Sequence, residues 1–223
     1  VQTCALPISE AYDAFGRPDS SDTPESRGAP LAQLAALLEE YSVAGETVLA
    51  VPGDSAGAAR LTALREAVPL AVNQRIRLAR GTIDPRIEKT AADVIVPFEH
   101  FEAMLEVYEA ELRRRGLDGA IWGHISDGNV HPNILPRSFA DVEAGRDAVL
   151  AFGREAIRLG GAPLAEHGVG RSATKQRMLL DLYGENGIEA MRQVKRALDP
   201  EGKLARGVVL DRKSTRLNSS HRT

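Results

Sequence analysis

The sequence predicts an α+β fold, with helices packed on an antiparallel sheet. Three observations point to it. Segments with apolar residues at helical spacing are interspersed with short apolar runs of strand length. Two of those runs, Ala120–Ile125 and Val130–Leu135, flank Ser126-Asp127-Gly128-Asn129, a strong hairpin signal. The single glycine pattern that hints at a parallel βαβ unit, Gly168-Val169-Gly170-Arg171-Ser172-Ala173, is followed by helical patterns rather than by a second strand with a ribose-binding acid. It is therefore not read as a dinucleotide-binding turn, and residues 168–175 do not match a P-loop.

The elements follow in order. Ser9–Pro30, rich in Ser, Asp, Pro and Gly, reads as a strand remnant and an exposed loop. Leu31, Leu34, Leu37, Leu38 and Tyr41 have helical spacing, and Thr47–Val51 is an apolar run of strand length ended by Pro52-Gly53. Asp54 can cap a helix through Arg65, with Pro69 marking its end or a kink. Val94–Val96 reads as a strand. Pro97 suits the first turn of a helix that sets Phe98, Phe101, Met104, Leu105, Tyr108 and Leu112 on one core face. Arg113–Arg115 fall in its last turn, where cations oppose the negative helix end, and Gly116 stops it. After the hairpin come a helix over Val142–Leu159, a Gly-rich segment over Gly160–Gly170, two helices separated near Tyr183–Gly187, and a turn at Asp199-Pro200-Glu201-Gly202. No repeat or inter-domain linker is visible, and one domain is expected.

Of 223 residues, 28 are Lys or Arg and 31 are Asp or Glu, a formal charge of −3 that argues against nucleic acid as a principal partner. With 43% hydrophobic and 26% charged residues the composition is globular, and no apolar run is long enough to form a transmembrane segment. The expected location is cytoplasmic or at the membrane periphery. Back-translation of Val1–Ile8 gives GTG CAG ACG TGT GCT CTT CCG ATC, similar to the end of a widely used sequencing adapter. Asp211–His221 back-translates to a match for the complementary strand. Residues 1–8 and 211–223 are accordingly expected to be adapter-derived, leaving 9–210 as a domain fragment. The tail carries Arg212, Lys213, Arg216 and Arg222 against Asp211, a net +3, so residues 9–210 carry −6. Cys4, the only cysteine, lies in the first adapter match, so a metal site in the remainder must use His and carboxylate.

If Asp127-Gly128 form a two-residue turn, His124 pairs directly with His131, close enough for two imidazoles to share a cation. Asn133, two residues on, points to the same face. Local hydrogen bonding in a half-exposed sheet is the alternative for such a pair. Glu166-His167, in a Gly-flanked segment, adds a carboxylate that completes a two-His, one-carboxylate set with open positions. His167 is then available as a base, unless Glu166 merely caps a turn and His167 merely packs.

The motifs Gly123-His124-Ile125-Ser126-Asp127-Gly128-Asn129-Val130-His131-Pro132-Asn133 and Glu166-His167-Gly168-Val169-Gly170-Arg171, with the ending Ala197-Leu198-Asp199-Pro200-Glu201-Gly202-Lys203-Leu204, resemble the C-terminal domain of FAD-linked oxidases. D-lactate, D-2-hydroxyglutarate and glycolate dehydrogenases belong to that family. The resemblance spans roughly residues 31–210. It implies a substrate-binding α+β cap over FAD held by a preceding FAD-binding domain, and oxidation of a small-molecule D-2-hydroxy acid to a 2-keto acid. It further implies a divalent metal, zinc, iron or manganese, on His124, His131 and Glu166, with His167 as the base. Asn133 would lie near the substrate, and Arg65 would clamp its carboxylate. An electron acceptor is implied, and a homodimer is compatible with the resemblance.

Two positions depart from the family pattern. Ser126 replaces a usual Gly, and Ala91 stands where a lysine often precedes Asp93, with Lys89 as the substitute. Two rival classes remain, a non-catalytic metal-binding domain and a metal-dependent hydrolase working without flavin.

Overall fold

The computed structural model describes residues 24–210, with side chains from residue 31 onward except at Glu46. The two adapter matches and residues 9–23 of the strand remnant and loop expected over residues 9–30 lie outside the described residues, while residues 24–30 are helical and not loop. The chain divides into two compact units, with the break between Ala71 and Val72.

In the first unit, helix α1 (Pro24–Glu40) begins earlier than the apolar spacing alone indicates. Pro24 suits a first turn, where its missing N–H has no helical partner to lose. The strand expected at Thr47–Val51 does not form. Those residues follow a 3-10 turn, Ala44–Glu46, and leave Val48, Leu49 and Val51 exposed, with no neighbouring strand among the described residues. Without a ladder partner, an apolar run of strand length has nothing to hold it extended. Asp54 does cap helix α2 (Ser55–Thr82), its Oδ1 accepting from the Gly57 N–H at 2.8 Å. The helix neither ends at Arg65 nor stops at Pro69. Proline removes one i→i−4 bond there, and the helix continues for three further turns.

The second unit starts within α2. Val72, Ile76 and Ala79, at spacings of four and three, pack with Ile87, Leu135, Ala120 and Trp122. The sheet is built around β4 (Asn129–Ile134), which pairs antiparallel with β3 (Gly119–His124) on one side and with β1 (Thr90–Ala91) and β2 (Val94–Ile95) on the other. β1 and β2 share one register: Thr90 faces Ile134, Ala91 faces Asn133, Val94 faces Val130 and Ile95 faces Asn129. They are one strand interrupted at Pro132, whose carbonyl accepts from Ala92 N–H at 3.0 Å but which has no N–H to return.

Alternation along β4 separates two environments. Val130 and Ile134, with Ala92 and Val94, enter the main core beneath helix α3 (Phe101–Arg114), helix α4 (Phe139–Arg158) and helix α5 (Ala173–Leu198). Met104 and Tyr108 from α3 and Ala148, Phe152 and Ala156 from α4 repeat at four-residue intervals and are buried. Tyr108 meets Phe152 edge-on at 4.9 Å between ring centroids, a contact worth about 1 kcal/mol beyond its burial. Burial pushes the Tyr108 hydroxyl well above its ordinary pKa. Phe98, expected on the core face, lies instead in a 3-10 turn, Phe98–His100, and is exposed. Pro97 starts that turn, so the α-helical stripe begins only at Phe101. Ser138 caps α4 by accepting from Asp141 N–H, and Gly184, at φ 65°, breaks α5 close to where two helices were expected to meet. Among the described residues no helix is long and apolar enough to cross a membrane.

Candidate metal and substrate site

The other face of β4 carries Asn129, His131 and Asn133, all buried. The hairpin differs from the expected two-residue turn. Ile125–Asp127 form a 3-10 turn closed by Gly128 at φ 73°, so His124 pairs with Asn129 and Trp122 pairs with His131. The shift relative to the expected register is an even number of residues, which leaves every side chain on its face. His124 therefore sits diagonally from His131, with ring centroids 6.5 Å apart.

Glu166 and His167 come from the loop between α4 and α5, which is fastened to the outer edge of β2. Ile95 N–H donates to Ala162 O at 2.9 Å and Ala162 N–H returns a bond of 2.8 Å. Gly161, beside it, lies so close to Ile95 and Val96 that a Cβ would collide with backbone. The loop is fastened again by Asp93, whose Oδ2 accepts from Glu166 N–H at 3.0 Å and His167 N–H at 2.6 Å.

The result is a carboxylate among three imidazoles. Glu166 Oε1 lies 2.8 Å from His131 Nε2 and 3.1 Å from His167 Nε2, and Oε2 lies 3.9 Å from His124 Nε2. Ligand atoms of Asp93, His131, Glu166 and His167 all fall within 4.8 Å of one another. Burial pushes the His131 imidazole below its ordinary pKa, against the upward pull of the Asp93 carboxylate. That favours the neutral ring, the form with a lone pair to offer. Imidazole and carboxylate donors around a common point fit a divalent cation such as zinc, iron or manganese.

Beside this cluster is a cavity of about 440 Å³, lined among others by His131, His167, Asn133, Lys89, Arg146 and Lys175. Asn133 donates through Nδ2 to His131 O at 2.6 Å, while its Oδ1 is buried with no hydrogen-bond partner. Lys89 lies 5.5 Å from the Trp122 ring centroid, within reach of a cation–π contact. It precedes Ala91 by two residues and lines the same cavity. Arg65, by contrast, lies on α2 in the first unit. Residues 168–172 lead into α5 as loop, with no strand directly before them, so the parallel βαβ context is missing.

Sequence reasoning missed Asp93, Arg146 and Lys175. Asp93 carried a signal, being a lone acid inside the apolar run Ala91-Ala92-Asp93-Val94-Ile95-Val96. Arg146 and Lys175 carried none, since each is a cation on a helix like many others; in the structure Arg146 pairs with Glu88 at 2.6 Å and Lys175 donates to Gly168 O.

Residues 19–209 match the family model described as "FAD linked oxidases, C-terminal domain". Among characterised proteins, the chain is 31% identical over 147 residues to glycolate oxidase subunit GlcD of Bacillus subtilis, covering 65% of this chain and 29% of that protein. It is 34% identical over 125 residues to D-2-hydroxyglutarate dehydrogenase of Xanthomonas citri pv. viticola, covering 53% and 26%. To D-lactate dehydrogenase (cytochrome) 1, mitochondrial, of Saccharomyces cerevisiae it is 33% identical over 109 residues, covering 49% and 18%. The chain thus spans less than a third of each relative. The antiparallel sheet with its packed helices and the match across most of the sequence place this chain in the family of FAD linked oxidases, as their C-terminal domain.

Proposed function

We propose that the chain is the substrate- and metal-binding half of a flavoenzyme that oxidises a D-2-hydroxy acid to a 2-keto acid. The observation that supports the reading is the approach of Glu166 to the His131 and His167 rings on the wall of a cavity; His124, 3.9 Å from the second Glu166 oxygen, stands outside the group of donors that lie within 4.8 Å of one another. His124, His131 and Glu166 would hold the divalent cation, which supplies charge stabilisation to the developing alkoxide. FAD, held mainly by a separate FAD-binding domain, would supply the two-electron acceptor, with a further electron acceptor outside this chain.

The residues of this chain bind, orient and move a proton. His167 Nε2 takes the hydroxyl proton while the Cα hydrogen leaves as hydride, so the substrate loses two electrons and two protons in all. Its side chain is more than half exposed, at 58%, and can reach a ligand in the cavity. The unpaired Asn133 Oδ1 offers an acceptor toward the substrate. Lys89 supplies positive charge toward a carboxylate where Ala91 cannot. Arg65 is assigned the carboxylate clamp on the strength of the family resemblance alone.

Two experiments test this. The purified chain should bind zinc or manganese in calorimetric titration, and His131→Ala should abolish binding. In the intact parent protein, turnover of D-2-hydroxy acids should require FAD; hydrolytic activity without flavin would replace this reading with a metallohydrolase.

A further inference from the structure

We infer that Asp93 is a positioning residue that sets both halves of the metal site, one carboxylate oxygen orienting His131 and the other holding the Glu166–His167 backbone. The inference rests on the metal reading above.

Continuing the register of β1 and β2 past Pro132, Asp93 stands directly across the ladder from His131. Asp93 is 2% exposed, so its charge is not solvated by bulk water. Such a carboxylate persists only where protein donors surround it. Oδ2 has two, the main-chain N–H groups of Glu166 and His167. Oδ1 has no hydrogen bond among the described residues, and neither does His131 Nδ1; the two buried atoms face each other at 3.6 Å.

That distance is an electrostatic contact of a carboxylate oxygen with a ring edge rather than a hydrogen bond, and it has a direction. A carboxylate oxygen beside Nδ1 favours a proton on Nδ1. The ring then presents the Nε2 lone pair, and Nε2 is the atom turned to Glu166. Nδ1 and Nε2 lie on different edges of one ring, so in a site that uses Nε2, Asp93 would stand behind His131, although one of its oxygens lies within 4.8 Å of the other donors. A cation held by Nε2 would then have the imidazole between it and the carboxylate. The same carboxylate, through its second oxygen, sets where the loop presents the Glu166 carboxylate and the His167 ring. Asp93 thereby couples the strand residue His131 to the loop residues Glu166 and His167.

Two substitutions in the full 223-residue chain separate the two roles. Asp93→Asn keeps an oxygen for the loop amides but turns an N–H₂ toward His131 Nδ1, which forces the ring proton onto Nε2. Zinc affinity by calorimetry should fall about 10- to 100-fold, while Glu166 and His167 amide exchange stays close to wild type. Asp93→Ala removes both roles. Zinc binding should weaken at least as far, and the same two amides should exchange about fivefold faster or more. Unchanged zinc affinity in Asp93→Asn overturns the orienting role. Unchanged amide exchange in Asp93→Ala overturns the loop role. If Asp93→Ala does not fold, faster exchange of these amides in Asp93→Asn likewise contradicts the separation of roles. Should the wild-type chain bind no zinc or manganese, the metal reading falls and takes the orienting role with it. The exchange measurement still decides the loop role.

Discussion

Gly161→Ala tests whether the seam between the α4–α5 loop and β2 holds the site together. A Cβ at this position would lie 2.1 Å from Ile95 O and 2.8 Å from Val96 Cα. Neither atom belongs to a flexible side chain, so the loop must retreat from the strand by about 1 Å to reach even a tight contact. The paired bonds between Ile95 and Ala162, now 2.9 and 2.8 Å, would then open to nearly 4 Å and be lost. Losing two net hydrogen bonds and stranding partly buried groups costs about 2–5 kcal/mol in total. Gly160→Ala is the control, because Gly160 has φ +79° but nothing within 4 Å of its Cβ. It should cost only the left-handed backbone penalty, about 1–2 kcal/mol. Urea denaturation of the chain followed by circular dichroism measures both. In the intact parent enzyme, Gly161→Ala should also lower turnover by roughly 100-fold, since a shift of about 1 Å in catalytic groups has that effect. A Gly161→Ala variant no less stable than Gly160→Ala would refute the account of the seam.

Further outcomes are expected elsewhere. His167→Ala should leave zinc bound to the chain but stop oxidation in the intact flavoenzyme; full activity would remove the base assignment. Arg65→Ala should raise KM for 2-hydroxy acids more than it lowers kcat, and steady-state kinetics with an unchanged KM would dismiss the clamp. Phe152→Ala should destabilise the chain by about 3–5 kcal/mol in urea melts, because the ring is fully buried against Tyr108. The Lys195 ammonium, 2.5 Å away, holds the Asp199 carboxyl below its ordinary pKa, helped by the Lys203 and Leu204 N–H groups. Its stabilising contribution is therefore complete above the unfolded carboxyl pKa and is lost as pH falls through the lower folded value. Thermal melts from neutral to acid pH should show a shallower acid loss in Asp199→Asn than in wild type.

The face of the hairpin was legible because strand side chains alternate, and that survives any even error in register. The register itself was not, because Asp127-Gly128 fits a two-residue turn as well as it fits the end of a 3-10 turn closed by Gly128. Asp54 and the break near Gly184 were readable from local chemistry alone. Thr47–Val51 and Pro69 misled for opposite reasons. A strand needs a partner that local composition cannot supply, whereas a helix can outlast one missing bond when its apolar face resumes at Val72. β1 escaped notice because Thr90-Ala91 is too short to alternate. Spacing and resemblance single out His124, His131, Glu166 and His167 as candidates; the structure gathers His131, Glu166 and His167 with Asp93 and sets His124 beside them. Asp93 could not be given its role there without the fold, since its three partners lie 38 to 74 positions away in the chain.

The central position of β4 also bears on how the site comes apart. His131 and Asn133 sit on a strand bonded on both sides, so exposing their backbone requires unzipping the sheet. Glu166 and His167 hang from a loop held at the edge of the sheet by the Ile95–Ala162 pair, by Ala165 N–H on the Asp93 carbonyl and by the Asp93 carboxylate. The free energies for opening the two halves should therefore differ widely. A partly opened population would keep the strand residues in place while the loop residues swing out. Loss of the loop half alone would therefore take the Glu166 carboxylate and the His167 ring away from His131 and leave the sheet intact.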